Sequence, residues 1–279
     1  MTVSEVELDR RRYREGRRRR SLVVSVVSTL VFAVVVWTAL VLSPGWDDVK
    51  SSFFDLGTAR DALPDVLRGL WLNVRVLVVA SLLVAVVGSL LAIARTLRTP
   101  VLAPLRYLAA LYTDIFRGMP LLIVLYLVGF GLPGLGLFGR VPSYVYGTLA
   151  LVITYSAYVA EVLRAGIEAV HPSQRQAARS LGLTYYQTLR LVVLPQAVRK
   201  VTPALMNDFV SMQKDVGLIS VLGAVDAVRA AQIQVAQVYN FTPYVVAGVL
   251  FVLLSYPTIR LTDWFSARAR EREQIGALV

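Results

Sequence analysis

The chain predicts an all-α polytopic membrane protein. Apolar residues make up 56% of the sequence and mean hydropathy is +0.62. The apolar residues are also gathered into runs that can cross a hydrocarbon layer of about 30 Å at about 1.5 Å per helical residue.

Six transmembrane helices are expected. Residues 22–42 form a nearly uninterrupted apolar run. It reads as a retained anchor, because it is longer than a usual signal-peptide core and the LSPGW after it has no small-x-small cleavage site. Residues 69–94 give the second span, closed by Arg95 and Arg98. The third follows the break Arg117-Gly118-Met119-Pro120 and runs through Leu132, with residues 101–116 as an amphipathic approach helix. Residues 144–163, 202–222 and 244–265 supply the rest. The division that results is a basic tail (1–20), an anchor helix (21–43), an extracytoplasmic linker (44–68), a five-helix core (69–266) and a second tail (267–279). Within the linker, residues 51–66 mix Phe53, Phe54, Leu63 and Val66 with charges and read as an interfacial segment.

The net charge is +11, and its placement matters more than its size. Arg10, Arg11, Arg12, Arg14, Arg17, Arg18, Arg19 and Arg20 all precede the first span. The loops at 95–106, 164–200 and 268–272 carry most of the remaining basic residues, whereas the opposite side holds a scatter, Lys50, Arg60, Arg68, Arg140 and Arg229. By the positive-inside rule both termini are cytoplasmic in a multi-pass protein of the cytoplasmic membrane, and the charge answers to the bilayer rather than to nucleic acid.

Several chemistries are excluded or left without support. The chain has no cysteine and a single histidine, His171, which stands beside Pro172 in a polar loop and reads as a loop residue rather than a ligand. One loop histidine cannot supply a Ser/His/Asp arrangement, so an enzyme is not expected. The stretches GFGLPG (from Gly129) and GLGLFG (from Gly134) match the spacing of a dinucleotide fingerprint. Neither has the strand, helix and later acid that such a site needs, and both read as linker. No phosphate-binding GxxxxGK[ST] loop occurs, so no cofactor is expected on this chain and any nucleotide energy must come through a partner.

Two features remain as positive signals. The first is the polar, basic segment 161–195, which reads as two short capped helices hinged at a glycine. Ser173 with Gln176 and Thr184 with Gln187 each fit a capping box, Pro172 ends the preceding helix, Gly182 suits a left-handed stop, and Pro195 follows the second helix. Ala177, Ala178 and Leu181 on the first helix leave room for another protein to approach. The segment therefore has the shape of a docking element on the cytoplasmic side.

The second feature is ionisable residues inside spans, which cost on the order of 3 kcal/mol each if unpaired. Asn207, Ser211 and Lys214 fall at helical spacing on the fifth span, with Asp208 and Asp215 beside them; Glu161 and Arg164 can meet on the fourth. Either these groups pair internally, Lys214 with Asp215 or Glu161, or they line a water-filled path for a zwitterionic substrate.

The segment Gln176-Ala177-Ala178, then Gly182, Val192 and Leu194-Pro195, resembles the EAA loop of the permease subunits of type I binding-protein-dependent ABC importers. FRGMPLL (116–122), AYVAE (157–161), LPQA (194–197) and Lys214-Asp215 ahead of Leu218 are similar to the polar amino-acid branch of that family, and the resemblance covers residues 69–265. It implies a coupling loop at 171–195 whose Ser173, Gln176, Ala177, Ala178, Leu181, Gly182 and Pro195 engage a cytoplasmic ATPase. It further implies a second permease subunit, identical or related, two ATPase subunits holding ATP and Mg, and an extracytoplasmic binding protein that delivers a glutamate- or glutamine-like substrate. Glu161, Asn207, Asp208, Ser211, Lys214 and Asp215 would then line the pathway or the permease interface. Two positions depart from the family pattern: Gln176 stands where a glutamate is usual, and Val216-Gly217 follow the aspartate where Thr and Ser are frequent. An ion-gradient-driven transporter or channel is the alternative; it should show an internal repeat, and none is evident.

Overall fold

A computed structural model describes residues 5–96, 99–136 and 139–276. Arg98, the side chains of Arg10, Arg11, Arg12 and Arg14, and the second glycine-rich match, which runs over residues 137 and 138, lie outside that set. Among the described residues every regular element is helical, and the chain forms two compact units, residues 1–55 and 56–279.

The first unit is α1 (Glu5–Val41) and α2 (Trp46–Phe53). From Leu22 onward α1 is apolar, and its stretch Arg17–Val41 is long enough to cross a membrane, with the apolar side chains exposed along their length. Trp37 meets Trp46 edge-on, their ring centroids 6.2 Å apart.

The second unit opens with α3 (Leu56–Thr96), which starts well before the expected residue 69. Its buried residues include Ala62, Val66, Gly69, Asn73, Val76, Ala80, Val84, Gly88 and Ala92, spaced three or four apart, so one continuous stripe faces the core. Ala62 and Val66 pack against Ala227, Ala230 and Ala231. The interfacial reading of 51–66 is corrected accordingly: the second half of that segment belongs to the packed helix, because its small and β-branched residues fall in register with the stripe. The linker assigned to 44–68 is likewise largely helical.

Helices α4 (Ala103–Gly118) and α5 (Leu121–Gly134) are bent by 109° at the expected break. Met119 is extended at φ −102°, ψ 130°, as a residue before proline prefers, and Pro120 cannot donate a helical hydrogen bond. Helix α6 (Ser143–Glu168) lies at the centre, packing against α3, α4, α5 and a later helix, α9 (Leu194–Asp215). Small residues on it, Ala150, Ala157 and Ala160, are fully buried and allow the close approach that apolar surroundings do not otherwise drive. The fifth apolar run is longer than expected at its start: α9 begins at Leu194 and tightens into a 3₁₀ turn, Val216–Leu222. It is followed at a 50° bend by α10 (Ala227–Val238), for which no sequence signal had been noted. Helix α11 (Thr242–Gly276) closes the unit. Among the described residues, four helices can cross a membrane by length and composition, or up to six if each bent pair counts as one span.

A buried polar knot holds the second bent pair to α3. Asn73 Nδ2 donates to the Val216 carbonyl at 3.1 Å and to Asp226 Oδ2 at 3.0 Å, while Asn73 Oδ1 accepts from the Ala227 amide at 3.0 Å. Asp226 Oδ1 accepts from the Arg229 amide at 2.9 Å and so caps α10. Gly69 lets the backbone at Asp226 and Ala227 come this close, since a Cβ there would collide with those atoms. Asn73→Ala strips partners from two buried backbone groups and a carboxylate. A loss of about 2–4 kcal/mol is expected, read as a lower denaturation midpoint of the purified chain.

Candidate functional site

Two sites emerge, one inside the helical unit and one at the end where α3 and α6 finish. The inner site is a cavity of about 300 Å³ bounded by the α4–α5 break, α6 and α9. Asp208, Ser211 and Asp215 reach it from α9, and Thr154, Tyr155 and Tyr158 from α6. Tyr155 Oη donates to Asp215 Oδ2 at 2.8 Å. Asp208 Oδ2 and Thr154 Oγ1 are both buried without a hydrogen-bond partner. Buried acceptors of this kind cost free energy unless something satisfies them, and a cavity lined by carboxylates and hydroxyls suits the ammonium of a small polar molecule.

The predicted stripe on α9 is therefore split. Asp208, Ser211 and Asp215 share the cavity, whereas Asn207 and Lys214 are exposed and do not line it. Internal pairing of Lys214 with Asp215 or Glu161 is also corrected, because both acids hold other groups. Tyr155, Tyr158 and Thr154 were missed. The signal was present: Thr154, Tyr158 and Glu161 are spaced four and three apart and mark a polar face of α6.

Glu161 lies beyond the cavity, at the centre of an ion cluster. Arg164 grips it with two hydrogen bonds, Nη2 to Oε1 at 2.7 Å and Nε to Oε2 at 3.2 Å, the predicted pairing on one face. Arg95 of α3 adds Nη1 to Oε2 at 2.6 Å, and Arg117 of α4 stands 3.6 Å from the same oxygen. One carboxylate thus ties three helices, a geometry that fits the planar fork of arginine.

The outer site is the segment after α6. Helix α7 (Pro172–Ser180) differs from expectation at its start: Pro172 opens it as the first helical residue, and His171 caps it, its Nδ1 accepting from the Ser173 amide at 3.2 Å. The Ser173–Gln176 box is not formed, since Pro172 takes the first helical position and puts the cap at His171, two residues upstream of where the box requires it. At the other end Gly182 is left-handed at φ +82°, with Leu183 N bonded to Ala178 O and Gly182 N to Arg179 O, the two bonds of a Schellman stop. Helix α8 (Tyr185–Thr188) carries the predicted Thr184–Gln187 box in full.

Pro195 does not terminate that helix. The chain widens into a π turn, Leu189–Val193, in which Leu194 N bonds to Leu189 O, and continues as α9 with Pro195 in its first turn. The wider turn absorbs the missing proline N–H and its ring. Arg175 Nη2 and Lys200 Nζ donate to the Ile167 and Ala169 carbonyls, so two cations satisfy the end of α6 and fix the segment to it. Ala178 is turned inward and buried, while Ser173, Gln176, Ala177, Leu181 and Gly182 are exposed.

Residues 85–271 match the family of binding-protein-dependent transport system inner membrane components. The chain belongs to that family. This permease is similar to the arginine transport system permease protein ArtQ of Bacillus subtilis, at 31% identity over 72% of this chain and 90% of the relative. It is also similar to the putative glutamine transport system permease protein GlnP of Rickettsia prowazekii, at 34% identity over 68% and 88%. Among solved structures, one described as an amino acid ABC transporter with histidines matches with a TM-score of 0.70 and 33% identity, over 77% of this chain and 98% of that one. An inward-facing MetNI methionine transporter shares the fold at a TM-score of 0.60 and 20% identity. The family expected from the EAA-like segment is the one found.

The ion cluster yields a stability test of this permease. Glu161→Gln leaves Arg95 and Arg164 without their shared carboxylate in a largely buried place, and a loss of about 3 kcal/mol is expected on thermal or denaturant unfolding.

Proposed function

We propose that this chain is the membrane-spanning permease subunit of an ATP-driven amino-acid importer. It pairs with a second permease subunit, identical or related, two cytoplasmic ATPase subunits that hold ATP and Mg, and an extracytoplasmic binding protein. The observation that carries the reading is the cavity in which Asp208 Oδ2 and Thr154 Oγ1 have no partner beside Asp215 and the two tyrosines. The ammonium that every amino acid carries supplies those acceptors with donors.

The same carboxylates disfavour a second negative charge. Of the two substrates suggested by the sequence, glutamine fits and glutamate does not, and a basic side chain is also accommodated. The names of the relatives, which include arginine and glutamine permeases, lie on that side.

The exposed part of residues 171–195 docks on the ATPase, with Ser173, Gln176, Ala177, Leu181, Gly182 and Pro195 at the contact and the buried Ala178 holding the segment to the bundle. The positive-inside pattern supports six spans, with a five-helix core (69–266), an N-terminal anchor (21–43) and both termini in the cytoplasm. ATP-driven closure of the ATPases rocks the permease between inward-facing and outward-facing states around the cavity.

Two tests follow from this arrangement. Asp208→Asn should lower the rate of amino-acid uptake into vesicles at least about tenfold while leaving ATPase assembly intact, as loss of one charged contact to an ammonium implies; uptake at the original rate would remove the cavity from the pathway. Gly182→Val, which puts a β-branched residue at φ +82°, should weaken ATPase attachment and couple ATP hydrolysis to transport poorly. Normal transport and assembly in that variant would show that the segment is not the docking element.

A further inference from the structure

A groove between the end of α3 and the start of α4 neighbours a basic cavity, and together they have the chemistry to hold a phospholipid. The groove, about 530 Å³, is walled by Leu90, Ile93, Leu105, Leu108 and Tyr112 and has no charged residue in its lining. Leu90, Ile93 and Leu108 are more than half exposed, at 61, 55 and 64%. Neighbouring residues on the two helices line the two cavities: Ala94 and Leu105 face the groove, while Arg95 and Arg106 line the next cavity.

That second cavity, about 640 Å³, lies between the bundle and the α7–α8 segment. Arg95, Arg106, Arg175 and Arg179 line it, against the single acid Glu168. Glu168 is held by Arg164 at 2.6 Å, which lessens what it can offer the other arginines. Arg175 Nε and Thr188 Oγ1 are buried there without a hydrogen-bond partner, two donors left over in a cavity already rich in positive charge. Donors of this type in an arginine-lined recess recognise a phosphate, and the apolar groove beside them would take a chain.

We infer that the groove and the cavity together bind one acidic phospholipid, with an acyl chain along α3 and α4 and the phosphate among Arg106, Arg175, Arg179 and Thr188. The bound lipid ties the α7–α8 segment to the bilayer surface. The inference rests on the reading of α3 and α4 as membrane-embedded, and is independent of the substrate and of the assignment of an ATPase partner.

The test uses the full chain, purified in detergent and offered phosphatidylglycerol or phosphatidylcholine, with bound lipid counted by native mass spectrometry. The unaltered protein should retain phosphatidylglycerol about tenfold or more over phosphatidylcholine, the range expected for two or more arginines at a phosphate. Arg106→Gln combined with Arg179→Gln should bring that ratio close to one, and Leu108→Trp, which fills the groove, should lower phosphatidylglycerol retention. Equal retention of the two lipids by the unaltered protein, a comparison that needs no variant, would overturn the proposal. So would undiminished phosphatidylglycerol retention by Leu108→Trp together with binding of inorganic phosphate, which would make the cavity a site for an anion with no use for the groove. As the chain has no native cysteine, Leu108→Cys gives a further check: disulfide linkage between two copies in the membrane would assign the groove to a second subunit instead. Failure of amino-acid uptake alone would bear on the proposed transport function and leave the lipid measurement standing.

Discussion

A backbone that breaks its helix inside an apolar layer must find partners for the amides and carbonyls it frees, and in this chain Asn73 is the partner for the most irregular stretch. Between the 3₁₀ turn ending at Leu222 and the start of α10 the helical ladder is interrupted. Asn73 holds both sides of the interruption, accepting from the Ala227 amide and donating to the Val216 carbonyl. Lipid offers no hydrogen bonds, so this arrangement can exist only where a side chain from a neighbouring helix does the work of water. With α10 fixed in this way, Ala62 and Val66 acquire the surface they bury, and the first turns of α3 become part of the core.

The same economy governs the other end of the unit. Glu161 gathers arginines from α3, α4 and α6, and each side chain there satisfies a charge that would otherwise be costly at the rim of the bundle. Below it, Arg175 and Lys200 take the last carbonyls of α6. The cavity holding Asp208 and Asp215 departs from this pattern by keeping acceptors unpaired, as the arginine-lined cavity keeps Arg175 Nε and Thr188 Oγ1.

Much of this was legible in the residues themselves. Periodicity located the long helices, Met119-Pro120 located the sharp bend, and Thr184, Gln187 and Gly182 located a cap and a stop, because each of these signals acts within a few residues of itself. The errors have a common origin in contacts between distant residues. Asn73 and Asp226 are 153 positions apart, and nothing local announces their meeting. Arg95 reaches Glu161 across 66 positions, which redirected an acid that sequence spacing had offered to Lys214. The Ser173 box failed more locally: His171 competes for the same amide, and a proline in the first turn favours the earlier cap. Helix α10 was overlooked because it is short and stands beyond a bend, so its apolar face is meaningful only against α3 and α11.

The π turn at Leu189–Val193 has a mechanical consequence. Because it carries the chain past Pro195 without a stop, the short α8 and the long α9 form one unbroken shaft from the exposed Tyr185 to Asp208 and Asp215 at the cavity. Two prolines in it cannot donate to the turn before them: Pro195, which follows the π turn directly, and Pro203, further along α9. If the α7–α8 segment docks as proposed, a push at its exposed end would reach the cavity through this shaft, with the two prolines as its soft points. The chain has built a crank whose handle is polar and exposed and whose far end carries the two carboxylates.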